Sequence, residues 1–266
     1  NLQNILGGYN RGETTIIAGL PKEGKTTLML NEEDNMCRHE YSCGIISMEM
    51  SEEKLRTKMA CDKLAYDMFK LKIGTATRAE IFLIHEEMER QTDLPLTVID
   101  KSKDINEITS IMRDYQDDWD VVGIDYIQKI RPCQSDPHGT VERISNWSTA
   151  ITNAAGDTDI ATLLLSQMSR EAATDHKGKR REPEPRFLKG SGALEQDLSQ
   201  LVFVYQNLRY GNEIIPDNAD TTFKVAMNRD GKIGKTDMCF QKSKQRFVIK
   251  GTEYADDIEY DDLNPF

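Results

Sequence analysis

The sequence predicts an α/β protein with three layers and a mostly parallel central sheet, and three observations support this. Short apolar segments alternate with helical stretches over most of the chain, which is the pattern of strand–helix units in a parallel sheet. A phosphate-binding loop pattern lies between the first predicted strand and a helix. From about residue 201 the segments become strands joined by short turns, which predicts antiparallel hairpins at the end of the sheet.

Length and charge limit the organisation of the chain. The 266 residues, 38% of them hydrophobic, are enough for one large domain. We expect a linker stub at 1–12, an ATPase domain at 13–250 and an acidic, disordered tail at 251–266. The net charge of −11 argues against a protein that coats nucleic acid over its whole surface, but it leaves room for a local basic strip.

Cysteine usage and hydropathy indicate the compartment. Five cysteines without a Cys-x-x-Cys pair favour reduced thiols over disulfides or zinc, and the four histidines show no ligand-like spacing. No apolar run approaches the roughly 18 residues that a membrane span needs. We therefore expect a cytoplasmic protein with no membrane partner. Because the chain begins with Asn1 and not with Met, we also expect a preceding segment.

The clearest motif is the phosphate loop at Gly19–Thr26, in which Gly, four residues and Gly are followed by Lys and Thr. A β-branched strand at 13–18 precedes it and a helix follows, so backbone N–H groups and the helix dipole would point at a phosphate chain. Lys25 would reach the β- and γ-phosphates of ATP or another NTP, and the Thr26 hydroxyl would bind Mg²⁺. The expected nucleotide contacts are Gly19, Pro21, Glu23, Gly24, Lys25, Thr26 and Thr27.

Three further polar residues follow predicted strands at 44–48, 121–125 and 160–165. Residues at the carboxyl ends of parallel strands converge on one ligand. Asp125 fits the carboxylate that holds the metal, Glu49 could orient and deprotonate water, and Gln167 could sense the γ-phosphate. Considered singly, Glu49 and Gln167 fit a structural role equally well, because strands often end in a polar residue. Predicted elements also include a strand at 96–100 and helices at 52–69, 78–91, 105–115 and 140–155.

Four further stretches stand out: Ser47 to Met50, Ile124 to Gln128, Leu165 to Arg170 and Phe187 to Asp197. Together with the phosphate loop they resemble the motor domain of DnaB-like replicative helicases, most of all bacteriophage members. The similarity runs from about Leu6 to about Val248. The resemblance implies a RecA-like fold and a hexameric ring with ATP and Mg²⁺ bound between neighbouring subunits. It also implies 5′ to 3′ translocation along single-stranded DNA through the ring.

The resemblance also assigns roles to residues. It makes Glu49 the catalytic base, Asp125 the Mg²⁺ carboxylate and Gln167 the γ-phosphate sensor, and it makes Arg229 an arginine finger inserted into the neighbour's site. The chain departs from the family at Met227, where many members have lysine, so a second cation would have to come from Lys232 or Lys235.

A Pro- and Gly-containing loop at 171–192 is the expected DNA contact, together with the loop at 130–140. A solvated charge run is the simpler explanation of its basic cluster from composition alone. The position directly after Gln167 favours DNA, because the state of ATP could then move the loop. Gly190 replaces an acidic residue of the family. The residues expected at DNA are Lys179, Arg180, Arg181, Lys189, Gly190 and Gly192.

The acidic tail ends in Phe266 and resembles tails with which some bacteriophage helicases engage their DNA polymerase, although a disordered spacer explains it equally well. Primase is the other expected partner. The sequence thus predicts an ATP-driven replicative DNA helicase motor. Two alternatives remain open: a RecA-like or KaiC-like ATPase that regulates or recombines without unwinding, and a nucleotide-binding scaffold with a crippled site.

Overall fold

The protein, described here from a computed structural model over residues 2–101, 103–168, 181–188, 198–206 and 217–250, contains a nine-stranded sheet in that part of the chain. Five of these strands, each five to seven residues long, are buried along almost their whole length, as their apolar segments predict. The strands of the sheet are β1 (Thr14–Gly19), β2 (Cys43–Ser47), β3 (Leu96–Ile99), β4 (Val121–Asp125), β5 (Ala161–Gln167), β6 (Gln200–Gln206), β7 (Ala219–Asn228), β8 (Gly234–Gln241) and β9 (Arg246–Ile249).

The sheet order is β3-β2-β4-β5-β1-β6-β7-β8-β9. The first six strands in this order are parallel, and β7, β8 and β9 continue the sheet as antiparallel neighbours. This confirms the predicted fold class, including the antiparallel hairpins at its end. Because β1 lies between β5 and β6, the phosphate loop that follows β1 opens near the middle of the sheet.

Helices cover both faces of the sheet. On one face α6 and α7 pack against inward side chains such as Ile16 and Leu164, and on the other α1, α2 and α3 pack against neighbours such as Ile17 and Leu165. Successive strand residues therefore serve opposite layers, which gives the three-layer arrangement. The helices are α1 (Leu2–Leu6), α2 (Lys25–Arg38), α3 (Glu52–Lys63), α4 (Met68–Lys72), α5 (Arg78–Arg90), α6 (Ile105–Asp114) and α7 (Thr140–Thr158).

The single helix predicted at 52–69 is wrong, because the chain forms two helices there. α3 ends at Lys63, and Ala65 takes a left-handed backbone conformation with φ 49°. Asp67 then caps α4, its carboxylate accepting a hydrogen bond from the Phe69 N–H at 2.8 Å. The predicted start of α6 is confirmed, since the Asp104 carboxylate accepts bonds from two N–H groups in the first turn.

The leading residues, expected as a linker stub, include the short helix α1. Leu2 and Leu6 are 4% and 2% exposed and join the core on the α2 side of the sheet. The Asn228 amide donates to the Leu6 carbonyl at 2.9 Å, and the Gln200 amide donates to the Gly8 carbonyl at 3.1 Å. These contacts tie the start of the chain to β6 and β7. Within the described part of the chain no helix is long and apolar enough to cross a membrane.

Candidate nucleotide site

The phosphate loop buries the Lys25 ammonium directly at the end of β1. Its side chain donates to the carbonyl oxygens of Gly19 at 3.1 Å and Leu20 at 3.0 Å, and the residue is only 7% exposed. Burial lowers the pKa of Lys25 to about 8, partly offset by the negative charges of Glu23 and Asp125. An ammonium in this position would be stabilised by a phosphate chain.

Gly24 and Glu23 set the conformation of the phosphate loop. Gly24 has φ 97°, a left-handed conformation, and α2 begins after it without a side-chain cap. A methyl group on Gly24 would lie 2.5 Å from the Phe247 ring. The Glu23 carboxylate, 4% exposed, accepts bonds from the N–H of Leu20 at 2.8 Å and of Gln206 at 3.4 Å, which fixes the loop to β6.

Thr26 and Asp125 form the pair expected at a metal. The Thr26 hydroxyl donates to Asp125 Oδ2 at 2.8 Å, and Asp125 is 2% exposed at the end of β4. Burial raises the pKa of Asp125 to about 6, while the Thr26 hydrogen bond lowers it. Over the described ranges no group of three or more His, Cys, Asp or Glu could hold a metal by itself. Mg²⁺ usually takes one or two protein oxygens together with substrate phosphates, so this pair fits it.

Glu49 lies two residues beyond β2, on a turn held by the strand it follows. The Ser47 hydroxyl donates to the Met50 carbonyl at 2.8 Å and accepts from the Met50 N–H at 3.1 Å. The Met48 N–H donates to the Asp125 carbonyl at 3.0 Å, which sets this turn beside β4. Glu49 is exposed, and its charge helps to raise the pKa values of both Asp125 and Lys25. It therefore faces the same space as the phosphate loop.

Gln167 ends β5 directly opposite Gly19 in the β1–β5 register. Its backbone N–H donates to Gln128 Oε1 at 3.0 Å, and Gln128 Nε2 donates to the Ser166 hydroxyl at 3.0 Å and to the Gln167 carbonyl at 3.3 Å. Sequence reasoning gave Gln128 no role, although the residue lies in the Ile124 to Gln128 stretch. Its amide joins the segment after β4 to the end of β5.

A second residue that the sequence did not single out is Lys58 on α3. Burial lowers its pKa, opposed by the nearby charges of Asp125 and Glu49. The ammonium donates to Gln245 Oε1 at 2.6 Å, so it lies between α3 and the turn before β9. α3 contains several lysines, and the sequence pattern of the helix does not distinguish Lys58 from the others. Only the tertiary fold brings its charge to the carboxyl edge of the sheet.

Arg229 lies at the opposite edge of the sheet from the phosphate loop of its own chain. β6 runs parallel to β1, and β7 is antiparallel to β6 with Asn228 paired to Gln200 at the start of β6. The seven residues of β6 span roughly 20 Å, which separates the two edges. Arg229 is exposed, and its N–H donates to the Ser199 carbonyl at 2.9 Å. The structure thus groups the other candidate residues and leaves this one apart from them.

The expected second cation and the DNA contacts are only partly described. Lys232 is exposed, and Lys235 is bound to Glu182. Of the six expected DNA residues, Arg181 is described, with its guanidinium carbon 5.5 Å from the centre of the Phe187 ring. Lys179, Arg180, Lys189, Gly190 and Gly192 lie outside the described residues, as does the tail at 251–266.

A phosphate loop at a central strand, a Thr–Asp pair beside it and helices on both sheet faces define an NTPase with a RecA-like fold. Residues 1–249 match the family described as the DnaB-like helicase C-terminal domain. The chain belongs to this family, which confirms the resemblance stated from the sequence.

The relatives agree with that assignment. A probable replicative DNA helicase of Trieres chinensis is 25% identical over 255 residues, covering 93% of this chain and 55% of the relative. The replicative DNA helicase DnaC of Bacillus subtilis strain 168 is 25% identical over 251 residues, with 93% and 54% covered. The chain thus spans about half the length of the curated relatives it matches.

Solved structures show the same fold. A structure described as an ATPase domain superposes with a TM-score of 0.81 at 25% identity, covering 93% of this chain and 88% of that one. A DnaB-like replicative helicase, described with its interactions with primase, has a TM-score of 0.82 at 24% identity and supports the fold alone. That alignment covers 93% of this chain and 60% of the other.

Proposed function

We propose that this chain is the motor domain of a replicative DNA helicase, which hydrolyses ATP or another NTP between subunits of a hexameric ring. The observation that carries the proposal is the convergence of Lys25, Thr26, Asp125 and Gln167 at one edge of the sheet, within a fold shared with the DnaB-like family. Arg229 at the opposite edge supports a site completed by a neighbouring subunit.

In this proposal the residues act mainly by positioning and charge, as phosphoryl transfer requires. Lys25 and the uncapped N–H groups at the start of α2 bind the phosphates. Thr26 and Asp125 hold Mg²⁺, which neutralises phosphate charge when bound. Glu49 orients the attacking water and takes its proton. The remaining contacts to the γ-phosphate are proposed for Gln167 and for Arg229 of the adjacent subunit.

The DNA-binding surface is proposed around the loop at 171–192. Arg181 is half-buried against Phe187, at the start of the described segment 181–188. A positively charged track with aromatic side chains or a glycine-rich backbone suits single-stranded DNA, which is bound without base-specific contacts. We propose that Arg181 contacts the DNA backbone on this surface. The other residues proposed to contact it are Lys179, Arg180, Lys189, Gly190 and Gly192.

Two protein partners are proposed beyond the ring itself. Primase is one, since a structurally similar DnaB-like helicase is described with its interactions with primase. DNA polymerase is the other, through the acidic tail that ends in Phe266. Acidic and aromatic residues together in the tail suit a basic partner surface with an apolar pocket.

The test is the rate of ATP hydrolysis with and without single-stranded DNA, together with strand displacement on a forked duplex. We expect hydrolysis that DNA stimulates, strand displacement, and a loss of turnover of roughly 100-fold or more in Glu49→Gln with ATP binding retained. Glu53→Gln, an exposed carboxylate on α3, is the matched control and should behave as the parent. DNA-independent hydrolysis without displacement by an assembled ring would instead support a regulatory or recombination ATPase. Unchanged turnover in Glu49→Gln would show that Glu49 is misassigned.

A further inference from the structure

Residues 181–188, called here the bridging segment, are anchored to the antiparallel hairpin of the sheet. Glu182 binds Lys224 of β7 through Oε1 at 2.7 Å and Lys235 of β8 through Oε2. Lys224 also donates to the Pro183 carbonyl at 2.9 Å, and Pro183 is buried. The segment therefore contacts both strands of one hairpin through a single carboxylate.

The position of Glu182 is explained by the hairpin itself. Lys224 and Lys235 are directly opposite each other in the β7–β8 register. Like charges facing each other across an antiparallel pair repel. Glu182 accepts a hydrogen bond from each ammonium and compensates both charges at once. Without Glu182, the two ammonium groups would repel each other across the pair, and the hairpin would shift locally near it.

The other end of the bridging segment reaches the nucleotide site. Leu188 forms an antiparallel bridge with Met168, which directly follows Gln167 at the end of β5. Leu188 and Met168 are each 3% exposed and belong to the same apolar cluster. A shift at the end of β5 would therefore displace Leu188, because closely packed apolar side chains have little free volume between them.

These contacts connect two functional ends of the molecule. One is Gln167, the proposed sensor of the nucleotide in this subunit. The other is Arg229, which follows β7 five residues after Lys224 and is proposed for the neighbour's site. The connection from Gln167 to Arg229 runs through the Met168–Leu188 bridge, the rest of the bridging segment and the ion pairs of Glu182 with β7 and β8.

We propose that Glu182 is a positioning residue, which ties the bridging segment to the β7–β8 hairpin so that the nucleotide state at Gln167 sets the placement of Arg229. This rests on the proposed function, because it requires that Arg229 acts on a neighbour's nucleotide. Glu182 is not one of the residues proposed to contact nucleotide or DNA, and its contacts are with the two lysines. It works through the geometry of the hairpin, and the consequence is coupling between successive sites of the ring.

Exposure makes this proposal testable without unfolding the chain. The side chains of Glu182 and Lys235 are 44% and 47% exposed, and that of Lys224 is 19% exposed. Ion pairs at such exposure add little to stability, so neutralising the carboxylate should leave the fold intact. Its effect on the placement of a catalytic group can be much larger, since small misplacements lower turnover steeply.

The experiment compares Glu182→Gln with Glu184→Gln in an assembled oligomer, checked by sedimentation. Glu184 is the matched control, because it pairs with Arg186 at 2.8 Å inside the bridging segment. For Glu182→Gln we expect the turnover rate to fall about tenfold. This loss is smaller than the roughly hundredfold loss that a 1 Å misplacement can cause. The KM for ATP and the melting temperature should equal those of Glu184→Gln. Lys235→Gln, which leaves the Lys224 bond in place, should lower turnover by a smaller factor.

A double variant separates positioning from a general structural effect. In an Arg229→Ala background, adding Glu182→Gln should cause no further loss, because the group that it positions is absent. Additive losses, or a Glu182→Gln rate equal to that of Glu184→Gln, would overturn the inference while leaving the Arg229 defect in place. If Arg229→Ala itself hydrolysed ATP at the parent rate, the role proposed for Arg229 would be wrong, and this inference with it. Were Glu182→Gln to lose its fold, a parent-like rate in Lys235→Gln would be the contradicting result.

Discussion

Single residues at the carboxyl edge of the sheet combine burial with charge. Lys25 is 7% exposed and Asp125 is 2% exposed, and burial shifts the pKa of each towards its neutral form, to about 8 and about 6. Both shifts reflect the cost of burying a charge at this edge of the sheet. Phosphate beside Lys25 and Mg²⁺ beside Asp125 would offset that cost and favour the charged forms.

The Gln128 side chain holds the end of β5, where Gln167 lies. Replacing Gln128 by Ala removes the amide that bonds the Ser166 hydroxyl and the Gln167 backbone. We expect turnover to fall about tenfold with KM for ATP nearly unchanged, since Gln167, the proposed sensor, would lose its alignment while the phosphate loop stays intact. Steady-state hydrolysis measures both constants.

Lys129→Ala is the control for this prediction, since Lys129 is the exposed neighbour of Gln128. It should hydrolyse ATP like the parent chain. Equal effects of the two substitutions, or a change confined to KM for Gln128→Ala, would show that the amide bridge does not align Gln167.

At the scale of elements, the sequence predicts most of what local patterns control. The strand before the phosphate loop, the strand ending in Asp125 and the Asp104 cap of α6 follow from apolar runs and capping chemistry. The break after α3 does not, because the left-handed conformation of Ala65 has no signal in its residue type. Contacts between distant segments escape prediction because they depend on tertiary packing: Lys58 reaches the site only through the placement of α3.

The packing of α2 against β4 gives the element-scale prediction. Glu33 on α2 is fully buried over Gly123 of β4, and neither carboxyl oxygen has a close hydrogen-bond partner among the described residues. Burial raises the pKa of Glu33 well above its ordinary value of 4.5, Cys37 and Asp125 raise it further, and the nearby backbone N–H of Gly123 offsets part of this rise. The folded chain therefore keeps a proton that the unfolded chain releases from about pH 4.5 upward.

Stability should consequently fall as pH rises above 4.5, by up to about 1.4 kcal/mol per pH unit for this one group. Glu33→Met removes the buried carboxyl, so its free energy of unfolding should exceed that of the parent by about 1 to 3 kcal/mol at pH 8. The gap should narrow towards pH 5. Urea unfolding at several pH values measures this, with Glu53→Met on the exposed face of α3 as the control. A gap that does not depend on pH would contradict a buried titrating carboxyl.

At the scale of the whole molecule, the topology divides the proposed catalytic groups between two edges. The phosphate loop, Asp125 and Gln167 lie at the carboxyl edge of the parallel strands, whereas Arg229 follows β7 at the other edge. Within this fold, Arg229 of one chain therefore cannot reach a nucleotide bound by the phosphate loop of the same chain. A head-to-tail ring solves this geometrically, because every interface then brings one edge of each kind together.

This division predicts that two inactive variants will restore hydrolysis when mixed. Lys25→Ala should lack nucleotide binding, and Arg229→Ala should lack the neighbour's contact, so each oligomer alone should be nearly inactive. In randomly mixed oligomers at equal amounts, about one quarter of the interfaces combine an intact phosphate loop with an intact arginine. Activity should then recover to at most about that fraction of the parent rate, and to less where successive sites of the ring are coupled. Mixing Lys25→Ala with Glu49→Gln provides the control, since both residues lie at the same edge and no interface between the variants holds a complete site. If Arg229 served the nucleotide of its own chain, the first mixture would stay as inactive as the second.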